Sequence, residues 1–328
     1  MALKSLLTLL LASATSVLAA SRTTPPSGCL HVAKSGGTYT TFQAAVNALS
    51  TSSTADQCIF VDQGTYTEQV YIPARSAKLT VYGYTADTTG YAGNKAIITY
   101  NNNAASAGSN DASATVRVWS DNFKMYNLNI INSYGKGSQA LALSAQSSGG
   151  YYGVSLYGFQ DTLLANEDQQ YYKKCQITGA TDFIFGQRAQ ACFEACDLRV
   201  RNGGYYITAN GRDSSSNPSY YLFNNCDIAA ASGESVSSRT YYLGRPWRTY
   251  ARVVFQNTAM SAVVRTEGWA VWDSSTDTST VYYAEYNSSG DGATGPRVSW
   301  AKTLSSAVSI STVLGSSYAS QGWYDSSY

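Results

Sequence analysis

Apolar residues in this chain fall in short clusters, and most follow the two-residue alternation of strands, not the 3.6-residue period of helices. Runs such as CIFVDQ from Cys58, KLTVYG from Lys78, AIITY from Ala96, TVRVW from Thr115 and RVVFQ from Arg252 are separated by Gly, Asn, Asp and Ser, the punctuation of a β-protein. One stretch, Thr41 to Leu49, carries helical spacing, with Phe42, Ala45, Val46 and Leu49 on one face. The strands lack hairpin signals. Instead an aromatic-rich run followed by a short strand keeps returning, at FKMYNLNIIN, YYGVSLYGFQD, QYYKKCQITGATD, ACFEACDLRV and YYLFNNCDIAA.

The return has a measurable step. Gln139 to Gln160, Asp161 to Asp182 and Cys175 to Cys196 are each 21 residues apart. Short strands at that period with no helical half predict a solenoid of stacked parallel coils, an all-β, right-handed, single-stranded parallel β-helix. Ile177, Ile184, Phe193, Leu198 and Ile228 are expected inside it, and the helix at Thr41 to Leu49 is expected to cap one open end. The serine-rich region after Ser274 reads as an irregular covering tail. Residues 20–328 read as a single domain.

Charged residues are only 13% of the 328 and nearly cancel, with 22 Lys plus Arg against 21 Asp plus Glu. No global field recruits nucleic acid or an anionic membrane. Residues 1–19 carry Lys4, a leucine run, and small residues at Val17 and Ala19, the pattern of a secretory signal peptide. A secreted protein without a membrane span is the expectation, and as a capped solenoid a monomer. Cys29, Cys58, Cys175, Cys192, Cys196 and Cys226 then lie where disulfides are allowed, with pairing open. Asn287-Ser288-Ser289 is the N-glycosylation sequon.

In such a stack, residues one period apart lie about 4.8 Å apart, the strand spacing. Asp161 above Asp182 makes a carboxylate pair, in which repulsion keeps one protonated while the other ionises. One becomes an acid, the other a nucleophile or base. Gln139 and Gln160, likewise stacked, offer amide donors for an oxyanion, although an amide ladder between coils explains them equally well. Because Gln160 and Asp161 are adjacent, a regular strand would send them to opposite faces, so a strand end or bulge is required there.

The blocks GTYTEQV from Gly64, QALAL from Gln139, GFQDTL from Gly158, DFIFG from Asp182 and LGRPW from Leu243 resemble, in order, those of the pectin methylesterases, carbohydrate esterase family 8. The family's fold is the right-handed parallel β-helix. The resemblance implies that Asp182 attacks the C6 methyl-ester carbonyl of a galacturonate unit. It likewise implies that Asp161 acts as general acid and then base, that Gln139 and Gln160 hold the oxyanion, and that Arg245 keeps the nucleophile ionised. Trp247, Trp269 and Phe185 resemble rings lining the sugar subsites, Glu68 reads as structural, and a Cys175–Cys196 bridge resembles one in bacterial relatives. Leu164 departs from the tyrosine that many relatives carry there. The implied substrate is methyl-esterified homogalacturonan, with no cofactor and no metal.

Other classes fit less well. A serine esterase needs a histidine base, yet His31 is the only histidine and no GxSxG is present. HExxH is absent as well. The remaining rivals are a β-helical pectin depolymerase and a non-catalytic carbohydrate-binding solenoid.

Overall fold

The computed structural model describes residues 20–328, so the expected signal peptide at 1–19 lies outside the described residues. The chain winds as the right-handed parallel β-helix read from the sequence. Each full turn passes through three sheets, of eleven, eight and seven strands among the described residues, and every pairing between named strands is parallel. We call the seven-stranded one the cleft sheet; it runs from Val70–Ile72 to Tyr242–Gly244.

One residue in the left-handed region turns the chain from the long sheet into the next. Asn127, Gly153, Lys174, Ala195, Asn225 and Asn257 occupy that place on successive coils, with φ between 49° and 58°. Asn and Gly tolerate this conformation best. The following residue points inward, which stacks Leu128, Val154, Cys175, Cys196 and Cys226 in the core. Beside them runs a column of rings, Tyr151, Tyr172, Phe193, Phe223 and Phe255, with neighbouring centroids 4.3–4.8 Å apart. The strand spacing itself imposes that separation, so aromatic stacking adds to ladder bonding at no conformational cost. Ile177, Ile184, Phe193, Leu198 and Ile228 are all interior, as expected.

The 21-residue step holds between Gly149 and Gln170, Gln169 and Gln190, and Ser155 and Gln176. Elsewhere insertions lengthen the coil, as between Val116 and Leu143 in the cleft sheet. The end cap is the helix Phe42–Ala48, which buries Phe42, Ala45 and Val46. Thr41 caps it by accepting from Ala44 N, and Glu68 accepts from the Phe42 and Gln43 amides at 2.8 and 2.9 Å. Glu68 is thus structural, an anion placed at a helix N-terminus.

Two expectations about the fold need correction. The Cys175–Cys196 bridge is absent. Their in-register side chains point the same way, and each thiol donates to a carbonyl of the preceding coil, Tyr151 O for Cys175 and Tyr172 O for Cys196. The disulfide is Cys29–Cys58, with Cα atoms 4.6 Å apart, at the capped end. The region after Ser274 is not wholly irregular, since Tyr282–Tyr286 and Lys302–Thr303 continue the long sheet. Only the later part covers, laying Val313, Leu314 and Trp323 against Tyr152, Tyr171 and Leu222. Further one-turn helices occur at Ala104–Ala107, Asn110–Ser113 and Ile310–Leu314, too short to show a helical period. Thiol titration of the unfolded, unreduced protein should count four reactive cysteines; two would mean that a second bridge exists.

Candidate active site

The outer face of the cleft sheet carries a cleft of about 160 Å³ lined by Asn110, Gln139, Gln160, Asp161, Asp182, Phe185, Ala209, Arg245, Trp247 and Trp272. Backbone register brings the first acids together. Gln160 bridges to Thr181, and Asp161 N donates to Thr181 O at 3.0 Å, so Asp161 sits one coil from Asp182. Gln139 sits one coil before Gln160, as the bond from Ala140 N to Gln160 O shows.

The predicted irregularity is a left-handed backbone. Asp161 has φ 63° and Asp182 φ 49°, and the ladder slips between Thr181 and Ile184. A left-handed residue breaks the strand's alternation, which lets Gln160 and Asp161 line one cleft although they are neighbours. Such a conformation costs an L residue about 1–2 kcal/mol, and Asp is among those that bear it best. Regular pairing resumes at Leu163 and Ile184.

Arg245 grips Asp182 with both arms of its fork, Nε to Oδ1 at 3.0 Å and Nη2 to Oδ2 at 2.6 Å. Its backbone N–H donates to Thr208 O at 3.0 Å, one coil back in the cleft sheet. Trp272 and Tyr206 pack on that guanidinium, with ring centroids 3.9 and 4.1 Å from Cζ. Such packing fixes a planar cation and keeps water from it.

Burial and charge divide the two acids. Asp161 is 6% exposed and Asp182 5%. Burial pushes the Asp161 carboxyl well above the ordinary aspartate range, the Asp182 charge pushes it further, and Arg245 pulls back. Asp182 is also raised by burial, but its hydrogen bonds and Coulomb attraction to Arg245 oppose the rise. Asp161, which has no hydrogen bond to its carboxyl from another side chain, is therefore the acid of the pair that keeps a proton. The amide Nε2 groups of Gln139 and Gln160 donate to no acceptor among the described residues and remain free for a ligand oxygen.

Of the expected ring residues, Trp247 and Phe185 line the cleft, their centroids 6.2 Å apart. Phe185, Leu164, Leu141 and Ala209 form a buried apolar cluster against which Trp247 packs. Gly211 is required beneath Trp247, because a Cβ there would lie 2.6 Å from the indole. Trp269 is not in the cleft. It is fully buried in the core, packed on Tyr283 with ring centroids 4.3 Å apart, and its Nε1 donates to Glu285. Trp272, three residues on in the same EGWAVW run, is the ring that reaches the cleft. Tyr206, Asn110 and Ala209 are site residues for which the sequence carries no signal.

The Pectinesterase family profile matches residues 30–322. The chain is 50% identical to a pectinesterase of Aspergillus niger, over 99% of each chain, and 50% identical to a pectinesterase of Aspergillus aculeatus, over 96% of each. It superposes on the crystal structure of the pectin methylesterase from Aspergillus niger with a TM-score of 0.88 at 44% identity, covering 94% of this chain and all of that one. A pectin methylesterase solved in complex with a hexasaccharide is similar with a TM-score of 0.69 at 25% identity, over 87% of this chain and 96% of the other. With fold, cleft and sequence in agreement over nearly its whole length, the chain is an enzyme of the pectinesterase family.

Proposed function

We propose that this enzyme removes methyl esters from the C6 carboxyls of homogalacturonan through an acyl-enzyme on Asp182. The observation that carries the reading is a carboxylate held on both oxygens by Arg245, one coil from a buried, proton-holding carboxyl. Asp182 attacks the ester carbonyl, and the negative charge passes to an oxygen within reach of the Gln139 and Gln160 amides. As the tetrahedral adduct collapses, the C–OCH3 bond breaks and Asp161 gives its proton to the leaving oxygen, releasing methanol. Asp161, now a carboxylate, takes a proton from water; the hydroxide cleaves the anhydride and frees the galacturonate acid and Asp182. Trp247 and Phe185 present ring faces to the pyranose units beside the reacting one. The Cys29–Cys58 disulfide accords with secretion into an oxidising space, where such a polymer is met.

Incubation with highly methylated pectin should release one methanol per new acid group without early loss of viscosity; viscosity loss with new chain ends would indicate depolymerisation instead. Asp182→Asn should lower methanol release by about a thousandfold or more, and normal turnover in that variant would remove Asp182 from the role of nucleophile.

A second outcome concerns stability. Asp161 binds its proton more tightly folded than unfolded, so the native state holds more protons in the window above pH 3.8 up to its raised folded value, and stability falls as pH rises through that window. Asp161→Asn removes the loss. Thermal unfolding at neutral pH should therefore show a higher midpoint for the variant, together with loss of activity; a lower midpoint would contradict the assigned protonation.

A further inference from the structure

The outward face of the cleft sheet continues well past the reacting centre. One file of outward residues, in register coil by coil, is Tyr71, Arg117, Ser144, Leu164, Phe185 and Ala209. A second file runs beside it. Backbone bonds from Gln146 N to Val118 O, Asn166 N to Ala145 O, Gly211 N to Gly186 O and Trp247 N to Asn210 O align Trp119, Gln146, Asn166, Gln187, Gly211 and Trp247. Its two ends are tryptophans, five coils or about 24 Å apart at the strand spacing. The places between them hold amides and the glycine beneath Trp247, and Gln146 and Asn166 are joined by Asn166 Nδ2 to Gln146 Oε1 at 2.9 Å.

The far end is built with care. Trp119 is 41% exposed and Tyr71 40%, and both lie on the outward face of the cleft sheet. The indole is not loose, because Trp119 Nε1 donates to Asp111 Oδ1 at 3.3 Å. Asp111 is fixed in turn by Ser144 Oγ at 2.8 Å and by the Arg117 guanidinium, which lies 4.7 Å from the Tyr71 ring centroid. Asn110, the residue before Asp111, already lines the catalytic cleft. Exposed, oriented rings on the same sheet face, joined to the cleft by an amide row, suit a polymer whose units alternate apolar ring faces with hydroxyl edges.

We propose that Trp119, with Tyr71 beside it, is a distal sugar-binding platform that holds the same homogalacturonan chain whose ester sits at Asp182, and so imposes a chain-length preference. This rests on the substrate reading above. Trp119 touches no reacting atom, so its contribution belongs to binding.

The test compares wild type and Trp119→Ala on a methyl-esterified galacturonate dimer and on methylated pectin. For pectin the variant should show KM raised about tenfold, from lost burial of apolar ring surface, with kcat unchanged. For the dimer, shorter than the two to three coils, about 10–14 Å, between the acids and Trp119, both constants should stay as in wild type, and Trp119→Phe should recover most of the loss on pectin. An equal change for dimer and polymer, or no change for either, overturns the platform while leaving the esterase reading intact if wild type releases methanol. Retardation in a gel containing pectin reads the contact without turnover. Weaker retardation of Trp119→Ala at an unchanged unfolding midpoint supports the platform, and equal retardation refutes it.

Discussion

The parallel ladder is the constraint on which everything else in this molecule depends. Because consecutive coils repeat at the strand spacing, residues far apart in sequence become vertical neighbours, and Asp161 is set beside Asp182 by backbone bonds alone. The two acids do not attract one another; both ionised at that spacing they would repel, and Asp161 keeps a proton instead. The fold supplies the energy for this placement through its column of rings and its inward aliphatic residues, all nearly or wholly removed from water. Against that background the two left-handed aspartates are a small local cost that turns both carboxyls toward the cleft.

Arg245 makes the pair unequal. Its fork takes both oxygens of one acid and none of the other, so one proton and one negative charge are distributed by geometry rather than by chance. Packing against Trp272 and Tyr206 holds the guanidinium in place. A bidentate ion pair this deeply buried adds little net stability, since desolvation offsets much of the attraction. Its value lies in keeping a carboxylate ionised where an isolated one would take up a proton.

Much of this was legible in the sequence because a solenoid converts spacing into contact. Three pairs with a common 21-residue step sufficed for the coil and for the neighbourhood of Asp161, Asp182 and the glutamines, and the adjacency of Gln160 and Asp161 already demanded a break in the strand. What spacing does not encode is side-chain direction. Trp269 and Trp272 share one short run, but an irregular loop sends the first inward to Glu285 and the second outward to Arg245. Cys175 and Cys196 are stacked as the period requires, yet their thiols turn to backbone carbonyls and not to each other. Tyr206 and Ala209 stayed invisible because the coil that holds them is longer, with Thr181 opposite Tyr206, so the repeat no longer points to them.

The account stands on one proton held by Asp161 beside an ionised Asp182. Carboxyl carbon NMR of protein labelled at aspartate, followed through a pH titration and assigned by Asp161→Asn, measures it directly. A resonance that stays protonated well above the ordinary aspartate range, and that is missing from the variant, is the predicted result. Ordinary titration of the Asp161 signal, independent of its neighbour, would contradict the account.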